Sequence, residues 1–378
     1  MKRLITIIIA FILLVPVLAG CAQRERRWTP EPAPETTNQQ QPEAESAQEP
    51  EEDFEKISIT ATIFPIYDWF RQIIGEENLS RFELTLLLDS GIDTHSFNPS
   101  VSDVLKIQTS DVFFYVGGYS DNWVNDVISD ANADIMTESL LDILGDFVLP
   151  TPEFYFDEDY DEEDDLHHHH HHQHNEEGDD HDDYDDARYD YDEAYDHDEH
   201  TDEHVWLSLH NAELFCIAIA DILSQLDPAN KQIYNDNLDA YVTKLGNLDS
   251  DFMDAVDAAN VTTLVFADRF PFQYMMEDYH LDFYAAFSGC AAEAEASFAT
   301  IISLAEIVDS NDLNFVIVTE TSNQDIANQV IRNTKSGNQR ILVLDAMKMV
   351  TQSDIQNGAT YLSIMKNNLT VLKEALTN

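Results

Sequence analysis

One stretch of this chain cannot fold, and everything else must be arranged around it. Residues 153–203 hold 25 Asp and Glu against a single basic residue, Arg188. Like charges at that density repel one another, and the stretch has too few apolar residues to offset the entropy of ordering a chain. Pro150 and Pro152 mark its start. It also carries ten of the fourteen histidines: His167, His168, His169, His170, His171, His172, His174, His181, His197 and His200. Imidazole is a preferred ligand of zinc, copper and nickel, so a His-rich acidic tract reads as an auxiliary, weak metal-binding loop. The plainer alternative is a solvated acidic loop. The hexahistidine run lies in mid-chain within acidic, His-bearing sequence, and reads as native.

The rest of the chain is acidic as well. Lys and Arg total 19 against 73 Asp and Glu, a formal net charge of −54. Such a surface repels phosphate backbones, which excludes nucleic acid as a partner, and attracts cations. A hydrophobic fraction of 44% is ordinary for a globular protein, and three cysteines give no disulfide framework. Met1, Lys2 and Arg3 precede an apolar run from Leu4 to Val17. That run is too short for a comfortable membrane span and reads as a signal peptide over residues 1–20. Its end, LAGC, resembles the bacterial lipobox, which implies lipidation of Cys21 and an extracytoplasmic protein anchored to the cell membrane. The other reading is an ordinary cleaved signal with an incidental cysteine. Residues 21–55, with Pro30, Pro32, Pro34, Pro42 and Pro50, read as a disordered tether.

The remainder alternates strand and helix patterns. Residues 57–62, 82–88 and 112–116 read as strands; 64–74 and 101–109 read as helices. Asp227 and Pro228 read as the cap and first position of a helix whose apolar residues recur for about thirty positions, long enough to strut two lobes. Beyond it, residues 262–267, 315–319 and 340–344 read as strands, each running into a carboxylate: Asp268, Glu320 and Asp345. The fold class is therefore α/β: two parallel-sheet βα lobes, 56–225 and 260–378, joined by one long helix over 226–259. Ligands of open α/β sheets bind beyond the carboxyl ends of strands, so the three acids could mark a cation site in the cleft between the lobes. They could equally cap helices or form turns. Cys216 lies in an apolar helical stretch and reads as core.

Two segments bracket the acidic insert: GIDTHSFNPS over residues 91–100, followed by Asp103, and DEHVWLSLHNA over residues 202–212. They resemble signatures of the zinc/manganese-binding lipoproteins of metal ABC transporters, the high-affinity zinc uptake, ZnuA-like family, which includes members known for cell adhesion. FSGCAAEAEAS over residues 287–297, Leu344-Asp345 and YLSIM over residues 361–365 are similar to later family segments. The resemblance spans roughly residues 56–375. It implies two α/β lobes joined by one long helix, with a metal ion in the cleft. By the same resemblance His95 and His204 are first-lobe ligands and Asp345 a second-lobe ligand, the metal being Zn2+ or, alternatively, Mn2+.

One family ligand is missing from this chain. The family places a His or Glu after the strand that here reads LVFADRFPF, and the matching position is Ala267. Asp268, Glu320, Cys290, a loop histidine or water are the replacements considered. Asp268 is favoured because Pro271 suggests that the strand has already ended before it. Two imidazoles and a carboxylate favour zinc over manganese. The resemblance implies a monomeric, lipid-anchored solute-binding protein that hands zinc to an ABC permease, or else a surface zinc buffer that docks no permease. An enzyme is not expected: HTDEH over residues 200–204 is not the H-E-x-x-H zincin pattern, and no nucleophile elbow occurs.

Overall fold

The computed structural model describes residues 56–89, 94–129, 135–154, 201–289 and 296–377. The signal, the tether, Cys21, Cys290 and all ten loop histidines lie outside the described residues. The first lobe comprises β1 (Ile57–Ala61), α1 (Phe64–Ile74), β2 (Phe82–Leu86), α2 (Val101–Gln108), β3 (Val112–Tyr115), α3 (Trp123–Ser129), β4 (Met136–Ser139) and α4 (Leu140–Leu144). Two helices follow the insert, α5 (Leu209–Leu226) and α6 (Lys231–Asp257). The second lobe opens with β5 (Thr263–Phe270), α7 (Gln273–Asp278), β6 (Asp282–Ser288) and α8 (Phe298–Ser310). It closes with β7 (Phe315–Thr319), α9 (Asp325–Asn333), β8 (Arg340–Leu344), α10 (Gln352–Gln356) and α11 (Tyr361–Thr377).

Both sheets are four-stranded and parallel, in the orders β2-β1-β3-β4 and β6-β5-β7-β8. In each, the chain leaves the founding strand for one edge and then returns to build the other side. That reversal opens a crevice at the carboxyl ends beside β1 and β5. Strands covered on both faces need continuous apolar runs, and β7 (FVIVT) is buried at every position. α1 starts where Pro65 presets its first turn and stops at Gly75, whose φ of 77° only glycine adopts readily.

The two lobes share one core. A single apolar cluster takes in Ile59 and Phe114 of the first sheet, Phe266 and Ile317 of the second, and Trp69, Phe215, Phe252 and Leu372 from the helices between them. Separate clusters cover the outer faces, with Phe113 and Val124 on the first sheet and Val265, Ile301 and Val316 on the second. α6 runs for 27 residues, about 40 Å at the α-helical rise. Asn237 near its start donates to the Ile73 carbonyl, while Phe252 near its end stacks on Tyr279 of the second lobe.

Three sequence expectations need correction here. Asp227 does not cap α6: a 3-10 turn, Pro228–Asn230, comes first, and the Asp227 carboxylate instead accepts from Arg81, Asn230 and Tyr234. The strand expected to stop at Ala267 continues to Phe270, with a register shift between Phe266 and Arg269. Asp268 therefore lies inside β5 rather than beyond it. The insert also ends earlier than its composition suggests. Thr201 pairs with Pro150 in an antiparallel bridge, and Asp202 and Glu203 are buried.

Asp68 fastens α1 to the start of α11. Its buried carboxylate accepts from the Tyr361 backbone N–H at 2.9 Å and from Gln72 at 3.2 Å. Burial pushes this carboxyl up, and the Tyr361 hydrogen bond pulls it back. Replacing Asp68 with Ala should cost about 1.5–3 kcal/mol, the worth of a hydrogen bond to a charged group, with Asp68→Asn costing less. Urea unfolding of both variants measures this, and a wild-type midpoint for Asp68→Ala would show that the contact is not a fastening.

Candidate metal centre

His204 stands at the head of a 3-10 turn, Val205–Leu207, and has no exposed surface. Asp202 Oδ1 accepts from the His204 backbone N–H at 3.0 Å and lies 2.7 Å from its Nδ1. With Asp202 ionised, Nδ1 carries the proton and Nε2 presents its lone pair, the arrangement in which a carboxylate orients a metal-binding histidine. His95 comes from the short turn Thr94–Ser96 after β2. Its Nδ1 lies 2.6 Å from Ser120 Oγ and 3.6 Å from Glu203 Oε2. The two Nε2 atoms then face each other at 3.4 Å. Two imidazole nitrogens on one tetrahedral zinc stand about 3.3 Å apart, given Zn–N bonds of about 2.0–2.1 Å.

Buried carboxylates line the first-lobe side. Glu203 accepts from the Ser120 backbone N–H at 2.8 Å, and burial pushes its carboxyl up. Asp121 accepts from the backbone N–H groups of Val116 and Gly117. Burial, with the Glu203 charge adding to it, pushes Asp121 up to about 7. Asp202 is likewise pushed up to about 7 by burial. Gly118 makes room for this shell: a Cβ there would lie 2.6 Å from Glu203 Oε1.

Second-lobe groups grip the segment that carries His204. Trp206 Nε1 donates to the Ala346 carbonyl at 2.9 Å, and Tyr361 Oη donates to the Trp206 carbonyl at 2.8 Å. Tyr274 Oη accepts from the Leu149 N–H and donates to the Asp202 carbonyl, each at 2.9 Å, so it closes both feet of the insert. Gly289 lies against the imidazole itself. A Cβ there would stand 2.7 Å from His204 Cε1, a distance no side chain tolerates.

The second-lobe acids are engaged elsewhere. Asp268 does not join the histidines: its Oδ2 accepts from the Thr319 N–H at 3.1 Å and hydroxyl at 2.8 Å, and its Oδ1 from the Arg269 N–H. The parallel pairing of β5 with β7 is the cause: Phe266 pairs with Ile317, so Asp268 and Thr319, each two residues further on, fall side by side. Ala267 is buried in the outer-face core of the second lobe. Asp345 Oδ1 accepts from the Met347 N–H, and Glu320 accepts from Ala346 and Lys348. Burial pushes both carboxyls up. Among the described residues no three His, Cys, Asp or Glu side chains converge closely enough to hold an ion. The structure thus brings His95 and His204 together and leaves Asp345 one residue from the Trp206 contact, outside the pair. Sequence reasoning missed Ser120 and Glu203 as supports. Asp202 carried a signal, its place two residues before His204, but was counted with the insert.

The architecture is that of a two-lobed α/β protein in which a pair of imidazoles meets at one point. The family model for the periplasmic zinc-uptake complex component A matches residues 59–375, and the chain belongs to that family. The zinc-binding lipoprotein AdcA of Streptococcus pneumoniae R6 is 29% identical over 319 residues, 84% of this chain and 56% of that protein. The chain thus spans about half the length of the first curated relatives it matches. The high-affinity zinc uptake system protein ZnuA of Bacillus subtilis is 23% identical, over 85% of this chain and 88% of that protein. Among solved structures, the Zn(II)-bound ZnuA-like domain of S. pneumoniae AdcA aligns with a TM-score of 0.61 at 25% identity, covering 86% of this chain and all of that one. The metal-dependent lipoprotein YcdH of B. subtilis aligns with a TM-score of 0.63 at 20% identity, over 85% of this chain and all of that one, a likeness of fold.

Asp202→Asn keeps the shape of the His204 support but offers an amide that can no longer hold Nδ1–H as a carboxylate does. Loss of such a support typically weakens metal binding about 10- to 100-fold. Competition against a chromophoric chelator should show that loss with an unchanged fold by circular dichroism. Wild-type affinity would mean that Asp202 does not orient the ring.

Proposed function

We propose that this chain is a lipid-anchored, extracytoplasmic solute-binding protein that captures zinc and delivers it to an ABC importer permease. The observation that carries this reading is the pair of Nε2 atoms at 3.4 Å, each ring held from its Nδ1 side. With both Nδ1 atoms protonated, two lone pairs meet at that distance, and a shared cation turns their repulsion into bonding. Neutral imidazole suits zinc, and manganese, a harder ion, prefers more oxygen donors. Asp345 supplies a second-lobe oxygen once its turn closes on the pair, and water completes the tetrahedron. The ion is cargo, and no catalytic role is proposed. Cys21 supplies the anchor, the tether gives reach, and the loop histidines gather zinc weakly near the cleft.

The test is stoichiometry with and without the loop. The intact chain should bind about one zinc tightly and further zinc weakly. Deleting residues 156–200 should leave the tight site and abolish the weak ones; Thr201, Asp202 and Glu203 must stay because they belong to the site. Calorimetry that finds no tight site in the deletion variant would overturn this division of labour. His95→Ala and His204→Ala should each weaken the tight site strongly, with Asp345→Ala next, because too few donors remain to complete a tetrahedron. Delivery is tested by zinc-limited growth that requires both this chain and a permease, and anchoring by release of Cys21→Ala from membranes.

A further inference from the structure

Tyr361 opens α11 and is fully buried. The start of that helix is locked: the Thr360 N–H donates to Ser363 Oγ at 2.9 Å, and the Ser363 N–H donates to Thr360 Oγ1 at 3.1 Å. In such a box each side chain satisfies a backbone donor that the helix itself leaves open. Tyr361 is then gripped at both ends. Its backbone N–H donates to the Asp68 carboxylate on α1 at 2.9 Å, and its hydroxyl donates to the Trp206 carbonyl at 2.8 Å. Between these bonds the phenol ring packs edge-to-face against Trp69, the neighbour of Asp68, with centroids 5.1 Å apart.

These contacts run from the first lobe, through the first residue of a second-lobe helix, to the segment that carries a metal ligand. Trp206 lies in the 3-10 turn that His204 heads. The His204 ring has a reason to retreat: its Nε2 faces that of His95 at 3.4 Å, and with no cation between them two lone pairs repel. Asp202 holds the ring at Nδ1, but Asp202 sits on the same segment, two residues back. It fixes the ring to the segment and not the segment to the protein. That second task falls to groups from outside the segment, and Tyr361 bonds the carbonyl two residues past the ligand.

We propose that Tyr361 is a positioning residue of the metal centre: anchored on Asp68, it holds the Trp206 carbonyl and so presets His204 for zinc before the ion arrives. The inference rests on the zinc reading above and deepens it, because part of the affinity is then set by two residues that are not ligands. A ligand already in its bound place spares the ion the cost of ordering it. Without the hydroxyl, the empty segment relaxes away from the His95 lone pair, and zinc must draw it back at the expense of binding.

Tyr361→Phe keeps the ring and its packing on Trp69 and removes one hydrogen bond. In the full chain it should weaken zinc about three- to tenfold by chelator competition, the range that one buried hydrogen bond spans. With Co2+ as the probe, the visible absorption of the bound ion, which follows the geometry of its donors, should shift or lose intensity. A merely structural role would lower the melting temperature and leave that spectrum as it is. Asp68→Ala should act in the same direction, and the double variant should bind no more weakly than the weaker single one, because both act through one link. Wild-type zinc affinity in Tyr361→Phe, or weaker affinity with an unchanged Co2+ spectrum, would overturn the proposal. So would single losses that multiply in the double variant, which would make the two residues independent supports. If Tyr361→Phe does not fold, Asp68→Ala is read by the same affinity and spectrum. Absence of tight zinc binding in the wild-type chain would refute the zinc reading itself; tight wild-type binding that Tyr361→Phe leaves unchanged would refute only the role of Tyr361.

Discussion

Trp206 is tied to the second lobe twice, through its indole N–H to Ala346 and through its carbonyl from Tyr361. Both contacts are buried, where a hydrogen bond left unmade is expensive. The segment between Thr201 and Leu207 belongs to the first lobe by its bridge to Pro150 and to the second by these bonds. His204 sits in the middle of it. The position of the imidazole is therefore set by both lobes at once, and only the ring from His95 is free to be placed by the first lobe alone. Gly289 completes the arrangement by letting the second-lobe backbone come within contact of the ring.

Around that segment the protein buries anions. Asp121, Asp202, Glu203, Glu320 and Asp345 are all pushed up by burial, the first two to about 7. Each is kept by backbone N–H groups rather than by abundant cations. Desolvated carboxylates favour whatever positive charge reaches them, whether a proton or a metal ion. A dication that binds only the folded chain stabilises it by mass action, so the cost of burying these groups is offset when the site is loaded.

The sequence made some of this legible and hid the rest for identifiable reasons. The bounds of α1, β7 and β8 follow from runs of apolar residues closed by Gly75 or by a carboxylate, and the structure agrees. β4 and β6 lie at the edges of their sheets, where one flank lacks a partner; MTES carries no continuous apolar run, and the FYAAF run of DFYAAFS is short and opens on an acid. Pro271 marks a real end, but three residues later than Ala267, because a register shift keeps β5 paired to β6 through Phe270. The pairing of β5 with β7, invisible in a propensity pattern, sets Asp268 beside Thr319. Charge counting gave Asp202 and Glu203 to the insert because composition reads the sign of a residue and not its neighbours. The His95–His204 pair was readable only through resemblance, since 109 residues separate them.

The shared core limits how the site can work. α6 contacts both lobes, and the main apolar cluster crosses from one sheet to the other without a break. Wide hinge opening would expose that cluster to water, at a cost that grows with every buried side chain uncovered. Small sliding of packed elements exposes little, and packed interfaces switch by such shear. The turn at Asp345 is bonded to Asn368 on α11 and to Glu320 after β7, so it moves with those elements rather than by itself. Any shift of the Asp345 oxygen must therefore carry α11 and the end of β7 with it, which keeps the motion small and collective.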